Sequence, residues 1–137
     1  MRYMLDTNIC IQLIQQKPSH LIARCAKLNY GDAGLSSIVL AELRHGVERH
    51  PASRAQAAWA LDCLLQLFPV LAFDESAAGA YGVLRAAVPD RRRDALDRLI
   101  AAHAVSVGAT LVTNNEADFN GYPGLTVENW VNSTSVP

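Results

Sequence analysis

The chain has 137 residues, of which 50% are hydrophobic, and this suits one well-buried domain and leaves little room for a second. Its 12 basic and 13 acidic side chains give a formal net charge of −1, so the charge of the whole molecule does not indicate a nucleic-acid-binding protein. The cysteines Cys10, Cys25 and Cys63 are too widely spaced for a zinc knuckle and are typical of reduced thiols in the cytosol. No stretch reaches the roughly 18 apolar residues of a membrane span.

Apolar periodicity in the first half of the chain predicts strands that alternate with helices. A strand is predicted at 2–5 and a brief second strand around Leu35. Breaks at Pro18-Ser19 and His50-Pro51 separate helical patterns. The predicted helices are 8–16, 21 to about 29, 38–49 and 53–67.

The second half continues the alternation and completes an α/β fold. Strands are predicted at 68–74, 109–113 and 125–130. An alanine-rich helix begins at Asp74 and ends before Pro89, and another runs from 95 to 107 and is closed by Gly108. We therefore expect a short parallel sheet of four to five strands with helices on both faces. Residues 1–132 should form this single domain, and 133–137 a loose tail.

Two carboxylates directly follow predicted strands, and each also has an ordinary explanation. Asp6 ends the first strand and precedes a helix, which is a common place for a helix N-cap. Thr7 can cap the same helix, which would leave Asp6 free to point into the crevice at the end of the sheet. Asp118 follows the strand 109–113, where an ordinary loop acid is the simpler interpretation.

Two further carboxylates lie on apolar faces of predicted helices. Glu42 falls on an otherwise apolar stripe. A boundary acid paired with Arg44 or Arg49 is the alternative, but neither arginine lies three or four residues away on that face. Asp97 is followed by apolar residues at i+3, i+4 and i+7, which indicates an inward-facing position. A favourable helix dipole, or a pair with Arg93, would also explain it.

Together the four acids predict a metal site. They fall at one end of a parallel sheet, beyond the strands' carboxyl ends, where ligands of such sheets collect. Several carboxylates in one crevice are costly unless a cation neutralises them or their pKa values rise. All-oxygen ligation favours Mg²⁺ or Mn²⁺ over zinc, and such ions activate water against phosphodiesters. The pattern thus indicates phosphodiester hydrolysis with one or two ions and without a histidine or lysine base.

Four segments, spread over nearly the whole chain, match the motifs of a known protein family in that family's order. They are "YMLDTNICI" at 3–11, "LSSIVLAELRHG" at 35–46, "LDRLIAAHAVSVGATLVTNN" at 96–115, and "ADF" followed by "PGLTVENW" to residue 130. By these segments the chain resembles the PIN-domain ribonucleases, specifically the VapC-type toxins of bacterial toxin–antitoxin pairs. The first and third segments are quite specific, whereas a lone strand ending in Asp would be a weak signal.

The resemblance implies which residues form the site. Thr113 would support a metal-bound water, and Asp118 would be the more variable acid. Many PIN domains have a further Asp two positions after this threonine, where this chain has Asn115, and the departure weakens the prediction of a second metal. The implied metal-binding acids are Asp6, Glu42, Asp97 and Asp118.

The resemblance also implies an activity and partners. The activity would be that of a cytoplasmic endoribonuclease that cuts tRNA or another translation RNA with Mg²⁺ or Mn²⁺. A VapB-like antitoxin would hold it inactive, and the protein would be a homodimer. RNA binding requires local positive charge. Four arginines offer such a patch, although a charged loop is usually just solvated: they are Arg85, Arg91, Arg92 and Arg93.

The remaining polar and aromatic residues have simpler interpretations. His103 lies in a helix amid alanines and is more typical of a packed or surface residue than of a base. Tyr3, Trp59, Tyr81 and Trp130 are better interpreted as core or interface aromatics than as stacking platforms for bases.

Two other function classes share part of this sequence pattern. A haloacid-dehalogenase-like phosphatase also places an Asp after its first strand, but it requires a second Asp two residues later, where this chain has Asn8. A non-catalytic PIN-like binding module is expected to lose its acids. All four acids are present here, which favours the nuclease.

Overall fold

The computed structural model describes residues 1–88 and 95–132 and contains a five-stranded sheet in which every pair of neighbours is parallel. The strands are β1 (Tyr3–Leu5), β2 (Ala33–Ser36), β3 (Val70–Leu71), β4 (Thr110–Val112) and β5 (Val127–Glu128). Their order across the sheet is β3-β2-β1-β4-β5. The predicted α/β class and parallel sheet are confirmed.

Helices connect these strands. They are α1 (Thr7–Ile14), α2 (Ser19–Ala26), α3 (Ser37–Glu48), α4 (Arg54–Leu67), α5 (Glu75–Ala87), α6 (Ala95–Val107) and α7 (Glu116–Phe119). The first six occupy the segments predicted to be helical, with ends that differ by a few residues. No helix in the described part of the chain is long and apolar enough to cross a membrane.

The edge strands are shorter than predicted. The strand within 68–74 is limited to the two residues of β3, because the flanks of this segment belong to helices. The Phe68 N–H donates to the Leu64 carbonyl at the end of α4. The Asp74 side chain caps α5 by accepting from the Ala77 N–H. At the other edge, the two residues of β5 pair with Leu111 and Val112 of β4. Helix α7 was not predicted, since four residues are too few to show a helical period.

The order of the strands creates a crevice beside β1. The chain moves from β1 through β2 to β3 in one direction and then crosses back to β4 on the other side of β1. Right-handed crossovers place the helices of these two directions on opposite faces of the sheet. Ligands of such sheets bind beyond the carboxyl ends of the strands where the order reverses, here β1 and β4. Asp6 and Thr113 directly follow these two strands.

Apolar side chains bury the central strands. Met4 and Leu5 of β1 and Leu111 and Val112 of β4 are fully buried, as expected for a parallel sheet covered on both faces. Cys10 belongs to the same core, and burial raises the pKa of its thiol. Cysteines 10, 25 and 63 are free thiols, in agreement with the prediction. The predicted tail, residues 133–137, lies outside the described residues.

Candidate active site

Asp6 anchors the candidate site at the end of β1. Its side chain is only 5% exposed, and its N–H donates to the Val112 carbonyl of the neighbouring strand at 3.1 Å. Its Oδ1 accepts from the Ile9 N–H at 2.9 Å and so caps α1. The expectation that Thr7 would be the cap and leave Asp6 free was wrong. A carboxylate has about four lone-pair sites, however, so capping leaves Asp6 able to accept other partners.

Thr113 reaches Asp6 from the neighbouring strand. It is fully buried, and a side-chain hydrogen bond joins it to the Asp6 carboxylate. The Thr113 hydroxyl oxygen accepts from the Asn115 N–H at 3.0 Å, and its own N–H donates to the Glu128 carbonyl at 3.0 Å. The Asn115 contact orients the hydroxyl, and the bond to Glu128 fixes the Thr113 main chain, so Thr113 presents its hydroxyl to Asp6.

Glu42 is joined to the Asp6 segment by Thr7. The Thr7 Oγ1 donates to the Glu42 Oε1 at 2.6 Å, across 35 positions of sequence. In the described part of the chain Glu42 forms no ion pair, and Arg44 instead pairs with Asp62 at 3.7 Å. The interpretation of Glu42 as a boundary acid paired with an arginine was therefore wrong. Sequence reasoning missed the role of Thr7, because a threonine after Asp6 carries no signal of its distant partner.

The electrostatics show that the two carboxylates interact. Burial raises the pKa of Asp6, and the negative charge of Glu42 raises it further. The hydrogen bond from Thr113 acts in the opposite direction and lowers the pKa of Asp6. Asp6 and Glu42 are thus close enough to repel each other, which is the situation that a bound cation relieves.

The other two predicted acids lie on neighbouring elements. Asp97 is half-buried in the first turn of α6, whose residues contact α3 and β4. Asp118 is exposed on α7, and the Asn115 side-chain amide donates to its Oδ2. Their membership in the site remains a prediction.

The oxygen donors of Asp6, Glu42 and Thr113 suit magnesium. Across residues 1–88 and 95–132, no group of three or more His, Cys, Asp and Glu side chains stands close enough together to hold a metal ion. Mg²⁺ needs fewer protein ligands than this, since it keeps several waters and binds through one or two carboxylates together with substrate phosphates. Asp6, Glu42 and the Thr113 hydroxyl offer only oxygen atoms. The pair of carboxylates therefore fits a hydrated Mg²⁺ or Mn²⁺.

Comparison with known proteins identifies the family. A family model of the PIN domain matches residues 3–125. Ribonuclease VapC2 of Rickettsia felis is 38% identical over 133 residues, which are 95% of this chain and 98% of the relative. The tRNA(fMet)-specific endonuclease VapC of Shigella flexneri is 36% identical over 132 residues, with the same coverage. The chain belongs to the VapC family of PIN-domain ribonucleases. The DNA-bound VapBC structure from Salmonella typhimurium matches it with a TM-score of 0.84 at 35% identity, covering 95% of this chain and 98% of that chain.

The predicted RNA-binding arginines of this VapC-family chain fall into two groups. Arg85 is exposed at the end of α5 and donates to the Tyr81 hydroxyl at 3.1 Å on the same helix. Arg91, Arg92 and Arg93 lie outside the described residues. A role in RNA binding for these four residues remains a prediction.

His103 is packed, as predicted. It is buried, its Nδ1 lies 2.7 Å from the Ser36 Oγ, and its ring contacts Phe73 edge-on. Ser36 in turn caps α3 by accepting from the Ile38 N–H at 3.0 Å. Burial lowers the pKa of His103, which favours the neutral form of the ring. It joins α6 to the start of the helix that carries Glu42.

Proposed function

We propose that Asp6, Glu42, Asp97 and Asp118 hold one or two Mg²⁺ or Mn²⁺ ions with which this endoribonuclease, the toxin of a type II toxin–antitoxin pair, hydrolyses RNA. PIN-domain VapC nucleases are generally dependent on divalent metals. The observation that carries the proposal is the proximity of two carboxylates, those of the buried Asp6 and of Glu42, where the strand order of the sheet reverses. A bound ion of this kind supplies a nucleophilic water at neutral pH and offsets charge on the phosphate.

The chain's own residues prepare this site before a metal binds. The cap on α1 and the Thr113 hydroxyl hold the Asp6 carboxylate in one orientation. Thr7 does the same for Glu42. Such supporting hydrogen bonds orient metal ligands and tune their basicity. Asp97 of α6 and Asp118 of α7 would supply the remaining carboxylates of the metal site.

The substrate that we propose is tRNA. The VapC of Shigella flexneri, 36% identical to this chain, is a tRNA(fMet)-specific endonuclease by name, so initiator tRNA is the first candidate. Other translation RNAs remain candidates of the same class. We further propose that residues 1–132 form one catalytic domain, that the domain forms a homodimer, and that it acts in the cytoplasm.

The partner that we propose is a VapB-like antitoxin, as in the toxin–antitoxin complexes to which the chain is structurally similar. A groove of about 1020 Å³ between α1, α2 and α4 suits it, and we call this surface the uncharged groove because no described residue that lines it is charged. Trp59 and Leu67 at this groove are 68% and 63% exposed. Large exposed apolar side chains of this kind mark protein interfaces.

The test is RNA cleavage by the purified protein separated from its antitoxin. We expect discrete cleavage of total tRNA with Mg²⁺ or Mn²⁺ and none with EDTA. Asp6→Asn should cleave at least about a hundredfold more slowly while its circular dichroism spectrum stays unchanged. Sequencing the new RNA ends identifies the target. Equal cleavage by the wild type and Asp6→Asn would overturn the proposal.

A further inference from the structure

A second groove leads away from the candidate site, and we call it the α1–α3 groove. Its volume is about 780 Å³, and Thr7 and Glu42 form part of its wall. Apolar side chains of α1, α3 and α4, such as Ile11, Ile38 and Leu61, make up most of the lining. Lining residues on α3 extend from Ile38 to Arg49, so the groove follows this helix for about three turns. It therefore reaches the candidate site at Glu42.

Arg49 brings positive charge into this groove beyond Glu42. It lines the groove at i+7 from Glu42, and the His45 ring lines it at i+3, which places both on the same face as Glu42. Arg49 stands two helical turns from Glu42, about 10 Å along the helix axis. Apart from Glu42, the described residues that line the groove include no carboxylate. A phosphate near Arg49 would thus meet no acid of the groove until it reached the candidate site.

Arg49 differs from the other arginines of this surface. Arg44 pairs with Asp62 at 3.7 Å, and Arg54 pairs with Glu48 at 2.8 Å. Arg49 has no carboxylate within 4.0 Å among residues 1–88 and 95–132. Its guanidinium is therefore available for a ligand, whereas those of Arg44 and Arg54 already contact carboxylates.

We propose that the α1–α3 groove binds the single-stranded RNA segment next to the scissile phosphodiester, with Arg49 on one of its phosphates. The inference rests on the proposed function and adds the path of the substrate. Unstacked bases can lie against the apolar lining, and a guanidinium binds phosphate through paired hydrogen bonds. The uncharged groove offers no such contact, which favours RNA in the α1–α3 groove and protein in the other.

The test compares two arginines of the same helix. A fluorescein-labelled single-stranded RNA of mixed sequence is titrated with the slowly cleaving Asp6→Asn protein in Mg²⁺ over a range of KCl concentrations, and each reading is taken before cleavage is detectable. Adding Arg49→Ala should weaken binding roughly tenfold. It should also lower the slope of log affinity against log salt by about 0.7. Arg49→Lys should restore most of the slope because it restores the charge.

Arg44→Ala is the matched control, since it removes the same charge from α3 outside the groove. It should leave both affinity and slope unchanged. In the cleaving enzyme, Arg49→Ala should raise KM for tRNA and leave kcat close to that of the wild type. If the wild type cleaves tRNA but Arg49→Ala and Arg44→Ala behave alike, the groove is not the RNA path although the nuclease proposal stands. If Arg49→Ala leaves RNA affinity intact and weakens only the antitoxin complex, the groove binds protein and our inference is wrong.

Discussion

The buried and exposed parts of the acidic site are built differently. Asp6 and Thr113 are buried and follow adjacent central strands, and each makes hydrogen bonds that fix its orientation. Asp118 is exposed to solvent on the four-residue helix α7, where the Asn115 side-chain amide donates a hydrogen bond to it. Buried groups in a low-dielectric setting interact strongly, and exposed ones are screened. Substitutions in the buried part should therefore cost far more activity than substitutions in the exposed part.

Among the side chains that support the acids, the strongest effect is expected for the Thr7 hydroxyl, which holds Glu42 beside the buried Asp6. Thr7→Val keeps the shape of the side chain and removes the donor to Glu42. We expect cleavage to fall about 10- to 100-fold and the Mn²⁺ concentration for half-maximal activity to rise. Thr7→Ser retains the donor and should recover most of the activity. A Thr7→Val enzyme with wild-type rate and metal dependence would show that the hydrogen bond does not position Glu42.

A smaller effect is expected at the exposed acid. Asp118→Asn removes a charge that solvent already screens, so cleavage should fall by less than about tenfold. Steady-state rates on tRNA at saturating Mg²⁺ provide the measurement. A loss as large as that of Asp6→Asn would show that the exposed acid is as important for activity as the buried one.

The smallest effect is on stability and depends on pH. Burial raises the pKa of Asp6 in the folded protein above its value in the unfolded chain. Between these two pKa values the folded state binds more protons. The contribution of Asp6 to stability is thus fully present below the unfolded pKa and is lost as pH rises through the folded pKa. At neutral pH the buried Asp6 carboxyl group therefore lowers stability.

Asp6→Asn should consequently melt at a higher temperature than the wild type at neutral pH in EDTA, by about 2–5 °C, because asparagine caps a helix equally well. The difference should shrink as the pH becomes acidic. Asp74→Asn is the control, since Asp74 caps α5 in the same way but is exposed. It should show no such rise. An Asp6→Asn protein that melts below the wild type at neutral pH would contradict this account of burial.

Much of the fold could be predicted because it depends on local patterns. The alternation of strands and helices places Asp6 at the end of β1, and the apolar stripe around Glu42 indicates an inward face. The lengths of the edge strands could not be predicted, since they depend on pairing with a distant neighbour. The Asp6 cap is a local contact, and the sequence offered it as one of two alternatives. The hydrogen bond from Thr7 to Glu42 could not be predicted, because it requires α1 to lie beside α3, which only the packed structure shows.

We propose that the Asp6–Glu42 pair holds a divalent cation. Calorimetric titration of Mn²⁺ into the metal-free protein, without RNA or antitoxin, measures the affinity for the metal and so tests this claim. We predict that Asp6→Asn weakens Mn²⁺ binding at least about tenfold, whereas Asp118→Asn changes it only a few-fold. Equal Mn²⁺ affinity in the wild type and Asp6→Asn would contradict the claim and place the metal elsewhere.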